Sequence, residues 1–164
     1  MAVDTSVIGK TTSRSVVAVE RGTVSNFAKA LKDNNPIYAD PRAAQAAGFA
    51  DIPAPPTWSF AMSHWGTFPE LQEGVEKVED NPMFGIIGKL RQQGGMVLHG
   101  EQEFIYHRPL VAGDVLYGEG TLTQAYEKES RGKVMTFVVS ETVWKDQKTG
   151  EPVVTAVFNL IHRS

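Results

Sequence analysis

The chain has 164 residues, 41% hydrophobic and 21% charged, with a formal net charge of −3. That is a globular composition, long enough for one domain with its own core and too short for two ordinary ones, with no cationic surplus to hold nucleic acid. Cysteine is absent, which excludes disulfides, thiolate catalysis and cysteine-bound zinc or iron and suits the cytoplasm.

The N-terminal stretch MAVDTSVIGK has no basic segment followed by an apolar one, and no apolar run reaches the roughly 18 to 20 residues that span a bilayer. The expectation is a soluble, unprocessed chain that does not engage a membrane. Residues 15–19 are a short β-branched run; the pattern then switches to apolar residues at Val24, Phe27, Ala28 and Leu31, a helical spacing. Pro36 and Pro41 interrupt the next stretch, and Pro41 opens a short helix, PRAAQAAGF, capped by Asp40 and closed by Gly48.

After DIPAPPTW, residues 57–68 carry Trp58, Phe60, Ala61, Met62, Trp65 and Phe68 on nearly every side of a helix, which predicts burial. Residues 69–95 are rich in Glu, Gly and Gln with little periodicity and read as a functional flap or mobile loop. From residue 96 the pattern becomes four long strands, MVLHGEQEFIYHRPL, DVLYGEGTLTQAYEK, GKVMTFVVSETVWKD and PVVTAVFNLIHR, separated by turns at AGD, ESRGK and QKTGEP. Short links of this kind predict antiparallel hairpins. One all-apolar helix followed by such strands predicts an α+β fold in which an antiparallel sheet wraps a buried central helix.

Three stretches, FAKALKDNNPIYADPRAAQAAGF, DIPAPPTWSF and LHGEQEFIYHRPLVAGD, give the sequence its resemblance to the MaoC-like hydratase and dehydratase superfamily of hot-dog proteins. IPAPPTW with HRPLVAGD is most similar to the fatty-acid-synthase-type dehydratase branch, and LHGEQEF resembles the N-terminal half of double-hot-dog (R)-hydratases. Both relatives are commonly the member of a pair that lacks the catalytic dyad. The resemblance implies hydration of a trans-2-enoyl thioester, or the reverse dehydration, with an acyl-CoA or acyl-carrier-protein substrate. It also implies side-by-side association as a homodimer or heterodimer. A thioesterase and a non-catalytic acyl-binding subunit are the alternatives.

That chemistry needs a group to activate water, a proton donor and acceptor, and donors for the thioester oxygen. The family supplies the first two from an Asp and a His in D-x-N-P-x-H; here the positions are Asp33 and Tyr38. Asn35 either holds the loop and its water or, with Asp33, simply builds a turn. At the start of the buried helix the backbone N–H of Thr57, after Pro56, is an oriented donor for a thioester oxygen, or else Thr57 is an ordinary cap. Trp58, Phe60, Met62 and Trp65 are the expected lining of an acyl tunnel.

Tyrosine is a poor base near neutrality, so a substitute is sought among the four histidines. His64 lies in the buried helix and reads as a core or interface residue; His162 is close to the terminus. Alternation along LHGEQEF puts His99, Glu101 and Glu103 on one strand face, making His99 with Glu101 the substitute acid–base pair, unless that face is only solvated. No H-x-x-x-H spacing includes His107 or the others, and no phosphate-cradling glycine loop is present, so neither metal nor cofactor is expected.

Overall fold

The computed structural model describes residues 3–130 and 132–163. β1, Thr11–Ala18, contains residues 15–18 of the β-branched run and buries Val16 and Val17. α1, Arg21–Ala30, comes next and turns Val24 and Ala28 inward, with Phe27 packed beside them. Leu31, expected on the same face, is the C-cap and stays exposed. Beyond it Lys32 adopts φ of 59°, which lets the Asp33 N–H reach back to the Ala28 carbonyl at 3.0 Å. This closing bond is the one a left-handed helix end usually makes with glycine.

A 3-10 turn, Pro36–Tyr38, leads to α2, Pro41–Ala46, where Asp40 accepts a hydrogen bond from the Arg42 N–H at 2.9 Å and Gly48 turns the chain at φ of 91°. Both the cap and the stop are as the sequence predicts. α3, Trp58–Trp65, is the central helix, and Trp58 and Met62 lie in a core with Val17, Leu110, Leu116 and Trp144. At its end Gly66 passes so close to β1 that a Cβ would lie 2.4 Å from the Ala18 carbonyl oxygen, while the Ala18 N–H donates to Gly66 O at 2.9 Å.

The other four strands are β2, Met96–Tyr106, β3, Val115–Ser130, β4, Lys133–Asp146, and β5, Pro152–Arg163. They form an antiparallel sheet in the order β1-β3-β4-β5-β2. β3, β4 and β5 are the hairpins that short turns require. β2 departs from that expectation: it crosses the molecule to pair with β5 rather than β3. Its link to β3 is held elsewhere, with Ala54 N–H donating to Leu110 O and Ala112 N–H to Ile52 O, so it lies along the chain that precedes α3.

Two expectations are corrected. Residues 69–95 contain a helix, α4, Pro82–Gln92, whose Met83, Ile86, Ile87 and Leu90 pack on Leu122, Val138 and Leu160 of the sheet. Those four residues keep helical spacing; Gly85 and Gly88 among them weakened the pattern. α3, moreover, is not covered on all sides: Phe60 is 47% and Trp65 46% exposed, because the sheet of one chain embraces only the face carrying Trp58, Ser59 and Met62. Among the described residues no helix is long and apolar enough to cross a membrane.

Candidate active site

The loop after α1 is built from its own side chains. The Asp33 carboxylate accepts the Asn35 N–H at 3.0 Å, and the Asn35 side-chain oxygen accepts the Ile37 N–H at 3.2 Å. These two side-chain turns, with Pro36 starting the 3-10 turn, set where Tyr38 stands. Ser25 of α1 donates to the Tyr38 carbonyl at 2.5 Å. The Tyr38 side chain is half-buried, and its hydroxyl makes no hydrogen bond to another described residue. Burial, and then the negative charge of Asp33, push its pKa above the usual tyrosine value.

Tyr38 lines a mostly apolar cavity of about 220 Å³ with Ile37, Phe49, Pro56, Tyr106 and Leu110. Pro56 immediately precedes the N-cap of α3, and Tyr106 is the last residue of β2. The Tyr106 hydroxyl donates to the Pro56 carbonyl at 2.5 Å, and since its single hydrogen is used there, the Ser59 hydroxyl at 2.9 Å donates to it. The edge strand β2 thus anchors the first turn of α3. Among the described residues no peptide is cis, so with its carbonyl turned to Tyr106 the Pro56–Thr57 peptide points the Thr57 N–H the opposite way. The Thr57 side chain makes no capping hydrogen bond, but the Trp58 N–H donates to Pro55 O at 2.9 Å and the Phe60 N–H to Thr57 O at 3.2 Å, which leaves the Thr57 N–H for an outside acceptor.

Sequence reasoning missed Tyr106. It stands immediately before HRPL in one of the stretches that carry the family resemblance, but only folding shows its hydroxyl reaching residues 56 and 59. The HRPLVAGD stretch itself is structural. Arg108 forks onto Asp114 at 2.8 and 3.0 Å and reaches Asp146 at 2.9 Å, while Asp114 also accepts the Val111 N–H at 2.9 Å. Two larger clefts, about 500 Å³ beside Arg14 and Gln147 and about 390 Å³ beside Asp4 and Phe84, contain none of the residues the sequence singles out.

The expected substitute pair does not share a face. β2 carries a bulge at Gly100, where a Cβ would lie 2.5 Å from the Ile161 side chain, so His99 is opposite Leu160 but Glu101 is opposite the adjacent Asn159. One extra residue turns every later side chain over. His99 therefore sits on the α3 side, its ring 5.2 Å from Phe60 and 4.6 Å edge-on to Phe158, while Glu101 accepts a hydrogen bond from the Asn159 amide at 3.1 Å.

The expected tunnel residues also diverge. Trp58 and Met62 fill the core, Phe60 meets His99 and Phe158, and Trp65 packs edge-on against Phe27 with ring centres 6.0 Å apart. The Trp58 indole N–H is buried without an acceptor among the described residues. His64 is exposed rather than buried. The most buried histidine is His162, 2% exposed, whose Nε2 lies 2.7 Å from the Gly94 carbonyl between α4 and β2. His107 contacts the Thr155 hydroxyl at 3.1 Å.

Residues 6–156 match the family described as the FAS1-like dehydratase domain region. The chain belongs to that family. A UPF0336 protein of Streptomyces avermitilis is similar over its length, 36% identical over 100% of this chain and 97% of the relative. Among solved structures, one from the ChsH1–ChsH2 complex of Mycobacterium tuberculosis has a TM-score of 0.73 at 25% identity, covering 93% of this chain and 84% of that one. The HadBC (3R)-hydroxyacyl-ACP dehydratase complex of the same organism gives 0.68 at 21%, covering 96% and 98%. The fold of this dehydratase-region chain is therefore the hot-dog α+β fold, a five-stranded antiparallel sheet laid around α3.

Proposed function

We propose that this chain is the acyl-binding subunit of an (R)-specific enoyl-thioester hydratase, equivalently a 3-hydroxyacyl-thioester dehydratase, and that a second hot-dog subunit supplies the complete Asp and His pair. The observation that carries this reading is Tyr38. A tyrosine near pKa 10 is only about 0.1% ionised at pH 7, and burial beside Asp33 reduces that fraction further. Tyr38 is thus a hydrogen-bond donor and not a base. The loss of general acid–base help costs on the order of 100- to 10,000-fold in rate, which is why a partner is needed.

In this reading the thioester lies at the N-terminus of α3, where the Thr57 N–H and the Tyr38 hydroxyl hold its oxygen as enolate charge develops. Asp33 and Asn35 fix the loop, and Tyr106 fixes the helix start. The apolar cavity between Tyr38 and Leu110 takes the first carbons of the acyl chain. Two of the similar solved structures are complexes of two named subunits, which supports the paired form. The acyl carrier is CoA or acyl carrier protein, the process is fatty acid metabolism, and the compartment this reading implies is the cytoplasm.

The test incubates the purified chain with crotonyl-CoA and longer trans-2-enoyl-CoAs, alone and with each hot-dog subunit encoded beside it, following enoyl absorbance. Turnover is expected only in the pair. Equal turnover by the isolated chain would overturn the paired form. Binding without turnover in every pairing would make it a non-catalytic acyl-thioester subunit, and release of free thiol would make it a thioesterase.

A further inference from the structure

β2 is the last strand of the sheet, and the outer edge of its 11 residues has no partner strand among the described residues. On the face turned away from α3, Leu98 and Ile105, 42% and 46% exposed, flank Glu101 and Glu103. A long edge with apolar residues on it is ordinarily covered. Charge decides what covers this one.

A second copy that pairs antiparallel along the whole of Met96–Tyr106 has its two-fold axis at Glu101, which sets that glutamate opposite its own copy. Moving the axis to Gln102 sets Glu101 opposite Glu103; moving it to Glu103 opposes that residue to itself. β2 contains no lysine or arginine, and His99 is on the other face because of the Gly100 bulge. Directly opposed like charges in a sheet are destabilising. Beside Glu101, moreover, the Asn159 side-chain oxygen is buried and receives no hydrogen bond from a described residue, its amide nitrogen being spent on Glu101. The side chains of Glu101, Glu103 and Asn159 thus offer this part of the edge negative charge and an unfilled acceptor, with no cation of their own.

We propose that the β2 edge binds a non-identical subunit of the same fold whose own edge strand places an arginine or lysine over Glu101 and Glu103. The inference rests on the paired reading given above and names what the partner must carry. Negative charge here also discourages pairing of two copies of this chain, so one feature selects the right partner and rejects the wrong one.

A charge-reversed copy of this chain serves as the probe for a cationic edge. Wild-type protein and isotopically labelled Glu101→Lys/Glu103→Lys protein are mixed in equal amounts at low salt, and the dimers are counted by native mass spectrometry. The ratio of mixed to like dimers should rise about tenfold above the one-to-one ratio of random pairing, and Glu73→Lys, beside β1 at the opposite edge, should give no excess. Binomial mixing, or a preference of wild type for itself, overturns the proposal.

The isosteric Glu101→Gln/Glu103→Gln protein guards against a lysine variant that does not fold. By sedimentation it should self-associate several-fold more tightly than wild type at low salt, the difference closing as salt screens the acids. Equal or weaker self-association overturns the proposal equally. Association is read without substrate, so its failure is distinct from an absence of turnover in the paired assay.

Discussion

The two loops that meet at the cavity below α3 use their polar side chains in opposite ways. In residues 106–114 every strong group is spent internally: Arg108 binds Asp114 and Asp146, and Asp114 also takes the Val111 N–H. In residues 32–38, Asp33 and Asn35 each secure one backbone N–H, while the half-buried Tyr38 hydroxyl has no partner among the described residues. Both loops carry family-like motifs, yet only the second retains a donor that a ligand can use. A satisfied network stabilises, whereas a spare donor at a cavity adds little stability until something accepts from it.

The largest effect should come from breaking the satisfied loop. Arg108→Met leaves the nearly buried Asp114 without its cation and should cost about 2–3 kcal/mol in urea unfolding. A loss below about 0.5 kcal/mol would mean the loop is not clamped by this group.

Acid should weaken the same loop next. The Asp146 carboxyl is held below the usual range first by the N–H groups of Lys148 and Thr149, and then by Arg108. A depressed folded pKa adds stability that is present above the unfolded value and lost as pH falls from about 5 through the folded one. Unfolding at stepped pH should show this decline, with a smaller acid dependence in Asp146→Asn; equal slopes would count against the assignment.

In the open loop the effects are smaller. Lys32 holds a left-handed conformation that costs an L-residue about 1 kcal/mol, so Lys32→Gly should raise stability by about that amount without moving the paired enzyme's activity. Tyr38→Phe should change stability by less than about 0.5 kcal/mol, yet lower kcat/KM of the paired enzyme by about tenfold or more. The reverse pattern, destabilised and fully active, would make Tyr38 a packing residue and erase the contrast between the loops.

Much of the scaffold was legible residue by residue. Asp40, Pro41 and Gly48 mark the ends of α2 because capping and left-handed stops are local chemistry. Strands β2 to β5 are set by alternation and turn residues, which act over a few positions. α4 was hidden because Gly85 and Gly88 diluted a stripe that tertiary packing nevertheless stabilises. The site was less legible: Asp33, Asn35 and Tyr38 form one loop in sequence and in space, but Tyr106 reaches α3 from a strand nearly fifty residues away.

What the sequence by itself determined is therefore what short-range physics controls: the fold class, the helix ends and the turn that carries Tyr38. Tertiary structure alone decided that β2 lies at the edge beside β5, that a single bulge at Gly100 separates His99 from Glu101, and that Trp58, Phe60, Met62 and Trp65 face different surroundings. Strand order and register depend on which distant segments bury each other, and one inserted residue inverts a strand face without changing its composition.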